Sequence, residues 1–164
     1  MVDSRYRLAQ INIARMLAPL TDPVMTDFVA NLPTINALAD ASPGFVWRFQ
    51  TEHGDATGVR PYEVDRIIIN FSVWENLSSL RNFVFRSAHT DVMRRRREWF
   101  ERLAEEYVAL WWVLATDRPT VAEAVARIEH LKRHGPSPEA FTFREFFPAP
   151  DAVANMSSSD LSRS

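Results

Sequence analysis

A histidine and an arginine share one predicted helical face with apolar residues. If a helix extends back to His89, then His89, Val92, Arg96, Trp99 and Leu103 follow one another at helical spacing, which places them on one stripe. A titratable or charged group on a buried face is costly unless it is paired or faces a cavity. The stripe therefore predicts a pocket whose polar end is His89 and Arg96, with His89 as an acid, a base or a metal ligand.

A purely structural interpretation of the same two residues stays open. His89 would then cap a junction between helices, and Arg96 would pair with a carboxylate such as Glu75. The arginine run at 94–97 forms no basic face, because four successive helical residues point in different directions. The 19 Lys and Arg against 21 Asp and Glu also argue against a nucleic-acid partner.

An asparagine and several aromatic residues complete the candidate site. Asn12 lies within an apolar strand, where its amide needs a partner and faces either the pocket or solvent. Trp111 and Trp112 are expected to be core residues. The candidates for binding a substrate are Trp47, Trp74, Phe71 and Phe28.

The composition excludes several other kinds of site. There is no cysteine among the 164 residues, which excludes disulfides, thiolate nucleophiles, iron–sulfur clusters and cysteine zinc sites. No histidines and carboxylates have metal-ligand spacing, so no metal is expected. The chain shows no secretory signal and no apolar run of membrane-spanning length, so we expect a cytoplasmic protein without a membrane partner.

Strands and helices alternate along the chain. Alternating patterns predict strands at 6–13, 45–51 and 140–147. The run at 64–73 is the most apolar and predicts a central strand, and the run at 107–115, with large residues facing both ways, predicts a strand covered on both faces. A first helix follows Thr21-Asp22-Pro23, and Pro33 predicts either a kink with space beneath it or a break into two short helices. Further helices begin near Asp91 and at the capping boxes Ser72-x-x-Glu75 and Thr120-x-x-Glu123.

The element order β-α-β-β-α-α-β-α-β predicts one α+β domain over residues 1–150, followed by a disordered tail at 151–164. Such an order suits an antiparallel or mixed sheet with helices on one face. The other face is too apolar to contact water alone. A second subunit that packs sheet against sheet is the expected cover, which makes the protein a homodimer.

Several segments resemble the bacterial DUF3291 family: Leu8–Asn12, Pro43–Arg48, Val73–His89, Arg95–Phe100 and Gly135–Phe143. The resemblance covers nearly the whole chain up to about Phe147. It implies a ferredoxin-like dimeric α/β barrel, a superfamily that includes antibiotic-biosynthesis monooxygenases, heme-degrading oxygenases, chlorite dismutases and small-molecule isomerases. The fold implies a homodimer but no single reaction.

The chain departs from the patterns of these relatives at two places. Thr116-Asp117 stands where DUF3291 members often carry Gly-His after the WWV strand. Heme-degrading relatives combine a strand-one asparagine, a helix tryptophan and a histidine after F-x-x-A-H. Asn12 and His89 match two of these three, but Ser79 stands at the third position.

Four hypotheses follow, and the first is an enzyme that resembles the cofactor-independent monooxygenases, an oxidoreductase without a cofactor. His89 would take a proton from an apolar aromatic or polyketide-like substrate, and Arg96 and Asn12 would hold the anion. Isomerisation or cyclisation would begin with the same step. The alternatives are a non-catalytic binder of apolar metabolites, a heme protein with His89 as axial ligand, and a purely structural dimer.

Overall fold

Four antiparallel strands form one sheet in the order β2-β3-β1-β4. The computed structural model describes residues 5–18, 21–49, 67–86, 96–100 and 108–150, and the strands are β1 (Tyr6–Arg15), β2 (Phe45–Arg48), β3 (Ile67–Trp74) and β4 (Val108–Leu114). β1 pairs with both β3 and β4, and β3 pairs with β2. The most apolar strand, β3, therefore lies in the interior of the sheet, as predicted.

Helices connect the strands. A 3₁₀ helix at Pro23–Met25 leads into α1, and the helices are α1 (Thr26–Asp40), α2 (Leu77–Arg86), α3 (Arg96–Trp99) and α4 (Val121–His134). A β-α-β-β-α-β chain with this strand order has the ferredoxin-like arrangement. The predicted α+β class and the antiparallel sheet are confirmed, whereas the predicted tail at 151–164 lies outside the described residues.

Helix ends follow the predicted signals in two places. Asp22 Oδ1 accepts a hydrogen bond of 3.0 Å from the backbone N–H of Val24 at the start of the 3₁₀ helix. Thr120 Oγ1 accepts one of 3.1 Å from the N–H of Glu123 at the start of α4. These contacts satisfy amides that have no partner within the helix itself.

The register gives the sheet two distinct faces. Gln10 pairs with Ser72 on β3 and with Leu110 on β4, and Asn12 pairs with Asn70. Side chains alternate along a strand, so these residues share one side, which we name the first face. Residues of the opposite parity, such as Ile11 and Phe71, lie on the second face.

Two apolar clusters pack α1, α2 and α3 on the first face. Near the α2 end of the sheet, the buried members are Leu8, Trp74, Leu110, Ala39, Leu80, Phe83 and Phe141. Near the other end, they are Met16, Met25, Phe28 and Trp99. Burial of this apolar surface is the main force that holds these helices on the sheet.

α4 covers the β1 and β4 side of the second face. The buried α4 residues Ala124, Ile128 and Leu131 pack into a cluster with residues of β1, β3 and β4 that includes Trp111, which is fully buried. Helices were expected on one face of the sheet. α1, α2 and α3 lie on the first face as expected, and α4 adds a helix on the other face. Helical periodicity identifies the apolar side of a helix but does not say which sheet face it contacts.

Two predicted elements are wrong. No strand forms at 140–147, where Phe141 makes only an isolated bridge to Leu110 and a turn follows, with Thr142 Oγ1 accepting from the N–H of Glu145. Ser72 is not a helix cap, because β3 continues to Trp74. Asn76 caps α2 instead, and its side-chain oxygen accepts from the N–H of Ser79 at 2.9 Å.

Pro33 does not divide the first helix. α1 is continuous from Thr26 to Asp40 with Pro33 inside it, so the alternative of two short helices is wrong. A shallow open groove lies on this helix, lined by Pro33, Thr34, Ala37 and Leu38. In the described ranges, no helix has both the length and the apolar character needed to cross a membrane.

Candidate functional site

Polar side chains cross the middle of the first face. They come from three neighbouring strands, and we call them the polar row: Arg48 of β2, Asn70 and Ser72 of β3, and Gln10 and Asn12 of β1. Along β1 and β3 the row lies between the two apolar clusters of this face. Leu8 and Trp74 lie at one end of the row, and Met16 and Ile68 lie at the other end.

Gln10, Ser72 and Trp74 form the buried part of the site. Gln10 Nε2 donates to Ser72 Oγ at 2.8 Å and to Asn70 Oδ1 at 3.0 Å. Trp74 Nε1 also donates to Ser72 Oγ, at 2.8 Å. Gln10 is 9% exposed and Ser72 is 5% exposed, so these bonds offset the cost of burying two polar side chains.

The row becomes more accessible towards Asn12 and Asn70. Asn12 is half-buried and Asn70 is exposed. The side-chain amide of Asn12 makes no hydrogen bond to another of the described residues. An amide carries both donors and an acceptor, so Asn12 offers hydrogen-bonding groups to a molecule that enters from this side.

Arg48 connects the row to α1. Its Nε donates to Asp40 Oδ1 at 2.8 Å and its terminal nitrogen to Asp40 Oδ2 at 3.3 Å, a two-point ion pair. The Arg48 side chain is 16% exposed and that of Asp40 is 48% exposed. Solvent screens a pair of this kind, so it fixes the position of α1 on β2 more than it adds to stability.

The structure brings three of the predicted site residues to the first face. Asn12 belongs to the polar row. Trp74 is fully buried against Phe83, with 5.2 Å between the ring centroids. Phe28 packs against Trp99 in the second cluster of this face, at 5.6 Å.

Of the other four predicted site residues, two have side chains outside the described part of the structure and two lie on the second face. His89 lies outside the described residues; Arg96 begins α3, and its side chain is also outside them. Trp47 and Phe71 lie on the second face, where their rings meet edge to face at 5.3 Å. Trp47 and Phe71 therefore do not face the polar row, because Phe71 alternates with Asn70 and Ser72 and so points to the other side of the sheet.

Gln10, Asn70, Ser72 and Arg48 were not predicted as site residues. A signal for three of them is present, since Gln10-x-Asn12 and Asn70-x-Ser72 place polar residues two apart in strands that are otherwise apolar. Such spacing predicts a polar strip on one face. The spacing does not say which strands are neighbours, whereas the pairing of β1 with β3 is what brings the two polar strips together.

The described residues offer no metal site. No group of three or more histidine, aspartate or glutamate side chains in the described ranges could hold a metal ion. His130 and His134 lie close on α4, with ring centroids 4.6 Å apart, and His130 Nε2 is 3.3 Å from Glu139 Oε2. They belong to the outer helix of the second face and are distant in the fold from the polar row.

Comparison with known proteins gives one family match. The model of the family described as Domain of unknown function (DUF3291) matches residues 7–157. No curated protein matches the chain.

Several solved structures are similar at low identity. PA3566 from Pseudomonas aeruginosa is 13% identical, with a TM-score of 0.47 over 71% of this chain and 100% of that one. SnoaB, a cofactor-independent oxygenase from Streptomyces nogalater, is 16% identical, with a TM-score of 0.44 over 70% and 96%. NE2512, a protein of unknown function from Nitrosomonas europaea, is 14% identical, with a TM-score of 0.44 over 71% and 95%. The fold assignment rests on the strand order itself.

Proposed function

The chain belongs to the DUF3291 family, and we propose that it is an enzyme that oxidises a flat apolar aromatic or polyketide-like substrate without a cofactor. The polar row between the two apolar clusters of the first face carries this proposal. Apolar walls bind a ring system, while a few placed polar groups orient its oxygen atoms, as in most small-molecule sites. Asn12 is half-buried, and its amide makes no hydrogen bond to another of the described residues, so it is the group best placed to contact such an oxygen.

The proposed reaction begins with removal of a proton. His89 takes it from the substrate C–H or O–H, and Asn12 and Arg96 stabilise the resulting anion. The carbanion adds to O₂ to form a peroxide anion, which regains a proton. Loss of water then leaves a carbonyl at the reacting carbon, so one oxygen atom enters the product and the other leaves as water. The roles of His89 and Arg96 come from the sequence pattern alone.

Anthrone is a suitable probe, because its reacting methylene group lies between two aromatic rings. The protein is expected to convert it to anthraquinone in air with uptake of one O₂ per product. Asn12→Ala should lower kcat/KM by about 10²-fold, the usual cost of losing one donor to a developing anion. Oxygen uptake and the absorbance of anthraquinone measure the rate for the unmodified protein and for Asn12→Ala.

Asn82→Ala is the matched control, because Asn82 is an exposed residue of α2 and its loss should leave the rate unchanged. Absence of protein-dependent oxygen uptake, or an Asn12→Ala rate equal to the unmodified rate, would contradict the proposal. Conversion of the probe without oxygen uptake would indicate isomerisation or cyclisation, which share only the first step.

We also propose that two copies of the chain associate through the second face. α4 contacts β1 and β4 there, whereas Trp47 and Phe49 on the β2 side remain half-buried. A second copy would cover them and remove apolar surface from water. Native mass spectrometry should therefore show a dimer, and Trp47→Glu should shift it to monomer. Phe85→Glu, at an exposed position of α2, is the control; a monomeric unmodified protein would contradict this proposal.

A further inference from the structure

The hydrogen bonds of Ser72 fix the direction of its hydroxyl proton. A serine hydroxyl can accept two hydrogen bonds and donate one. Ser72 Oγ accepts from Gln10 Nε2 and from Trp74 Nε1, each at 2.8 Å. Both acceptor positions are therefore filled, and the proton of Ser72 can only be donated to a third group.

No acceptor for this proton is found among the described residues. Gln10 presents its Nε2 to Ser72 and uses the second hydrogen of that nitrogen for Asn70 Oδ1. Trp74 offers only an N–H and accepts nothing. Ser72 is 5% exposed, and a buried donor without an acceptor is costly. An acceptor supplied by a bound molecule would remove that cost.

We infer that the Ser72 hydroxyl is a dedicated donor that selects ligands carrying an acceptor oxygen, such as a ketone, an enolate or a phenolate, within an apolar ring system. This inference rests on the proposed small-molecule site and specifies its chemistry. The side-chain amides of Asn12 and Asn70 can each donate or accept a hydrogen bond, so they can contact either a donor or an acceptor on the ligand. The Ser72 hydroxyl can only donate here, and a ligand that presents C–H to it leaves the donor unpaired.

A pair of probes that differ at one atom tests the selection. 9-Fluorenone has a ring carbonyl where fluorene has a methylene group, and the two have nearly the same shape. Quenching of tryptophan fluorescence measures the dissociation constant of each. The unmodified protein should bind 9-fluorenone roughly three- to tenfold more tightly, which is the contribution of about one neutral hydrogen bond.

Three variants test whether the Ser72 hydroxyl causes the preference for 9-fluorenone. Ser72→Ala should bind both probes with equal affinity, and Ser72→Thr, which keeps the hydroxyl, should retain the preference. Ser78→Ala removes the same group from an exposed position of α2 and should change neither affinity. Because the preference for 9-fluorenone is expected in the unmodified protein, the inference can be tested even if a variant does not fold.

Each outcome separates this inference from the function it specifies. Equal binding of both probes by the unmodified protein would overturn the inference. It would indicate that the Gln10 side-chain amide has the opposite orientation, so that its oxygen accepts the Ser72 proton. The proposed apolar binding site would not be contradicted by this result. A preference that survives in Ser72→Ala would also overturn it. Failure to bind either probe would count against the proposed site itself and against the inference together.

Discussion

A His89→Ala variant is expected to lose oxidation of anthrone almost completely, with kcat/KM lower by about 10² to 10⁴-fold, the range for a positioned general base. Alanine cannot take the proton whose removal starts the reaction, and water is a weak substitute. The dissociation constant for the probe should change little, because the proposed role of His89 is proton transfer and not binding of the ring system. Steady-state rates and probe binding measure the two effects separately.

His134→Ala is the control for the loss of an imidazole. His134 is exposed in the last turn of α4, on the helix that covers the opposite side of the sheet. Its replacement should leave kcat/KM unchanged. If His89→Ala retains the full rate on a genuine substrate, then His89 is not the base.

The absorbance spectrum of the purified protein tests the alternative use of the same histidine. A cofactor-free enzyme has no band beyond the tryptophan region, whereas axial ligation of heme gives an intense Soret band. A Soret band in the unmodified protein that is shifted or lost in His89→Ala would contradict the cofactor-free proposal. It would make His89 a heme ligand.

Gly44→Ala is expected to lower the free energy of unfolding by about 2 to 5 kcal/mol, a large fraction of the stability of a domain of this size. Gly44 has φ of 82°, a conformation that L-residues with a side chain adopt at a cost. A Cβ built there would also overlap Oγ and Cβ of Ser79 on α2. The backbone is held in this position, since Gly44 O accepts from the N–H of Glu75 at 2.7 Å.

Gly135→Ala separates the two causes. Gly135 has φ of 75°, but a Cβ there would meet no atom within 4 Å. Gly135 combines this φ with an extended ψ of -179°. Its loss of stability should therefore stay near the conformational cost alone, about 1 to 3 kcal/mol. Urea denaturation of both variants gives the comparison, and equal losses would show that α2 yields to the added methyl group without cost.

The sequence was sufficient for the elements whose signal is local. Apolar alternation identified β1, and a short run of large apolar residues identified β4. The residue types at Asp22 and Thr120 identified helix starts that the hydrogen bonds confirm. The Ser72-x-x-Glu75 pattern failed because the same residue types also fit the end of a strand. Only the pairing of Ser72 with Gln10 on β1 shows that β3 continues through it.

The site was predictable only in part, because its parts are distant in the sequence. Asn12 was identified from its own surroundings, but its cross-strand neighbour Asn70 is 58 positions away and is adjacent only through strand pairing. Trp47 and Phe71 were included as aromatic residues, although strand parity places Phe71 on the side opposite Asn70. Residue type indicates what a side chain could bind, and the register decides which side chains can act together.

The two outer strands of the sheet leave little room for further pairing. β2 has only four residues, with a bulge between Phe45 and Trp47. On the far side of β4, Leu110 exchanges backbone hydrogen bonds of 2.8 and 2.9 Å with Phe141. Short, bulged or covered edges oppose the edge-to-edge growth that leads to aggregation and fibres. In the described part of the sheet, these two edges therefore disfavour the joining of sheets from neighbouring copies into a continuous ribbon.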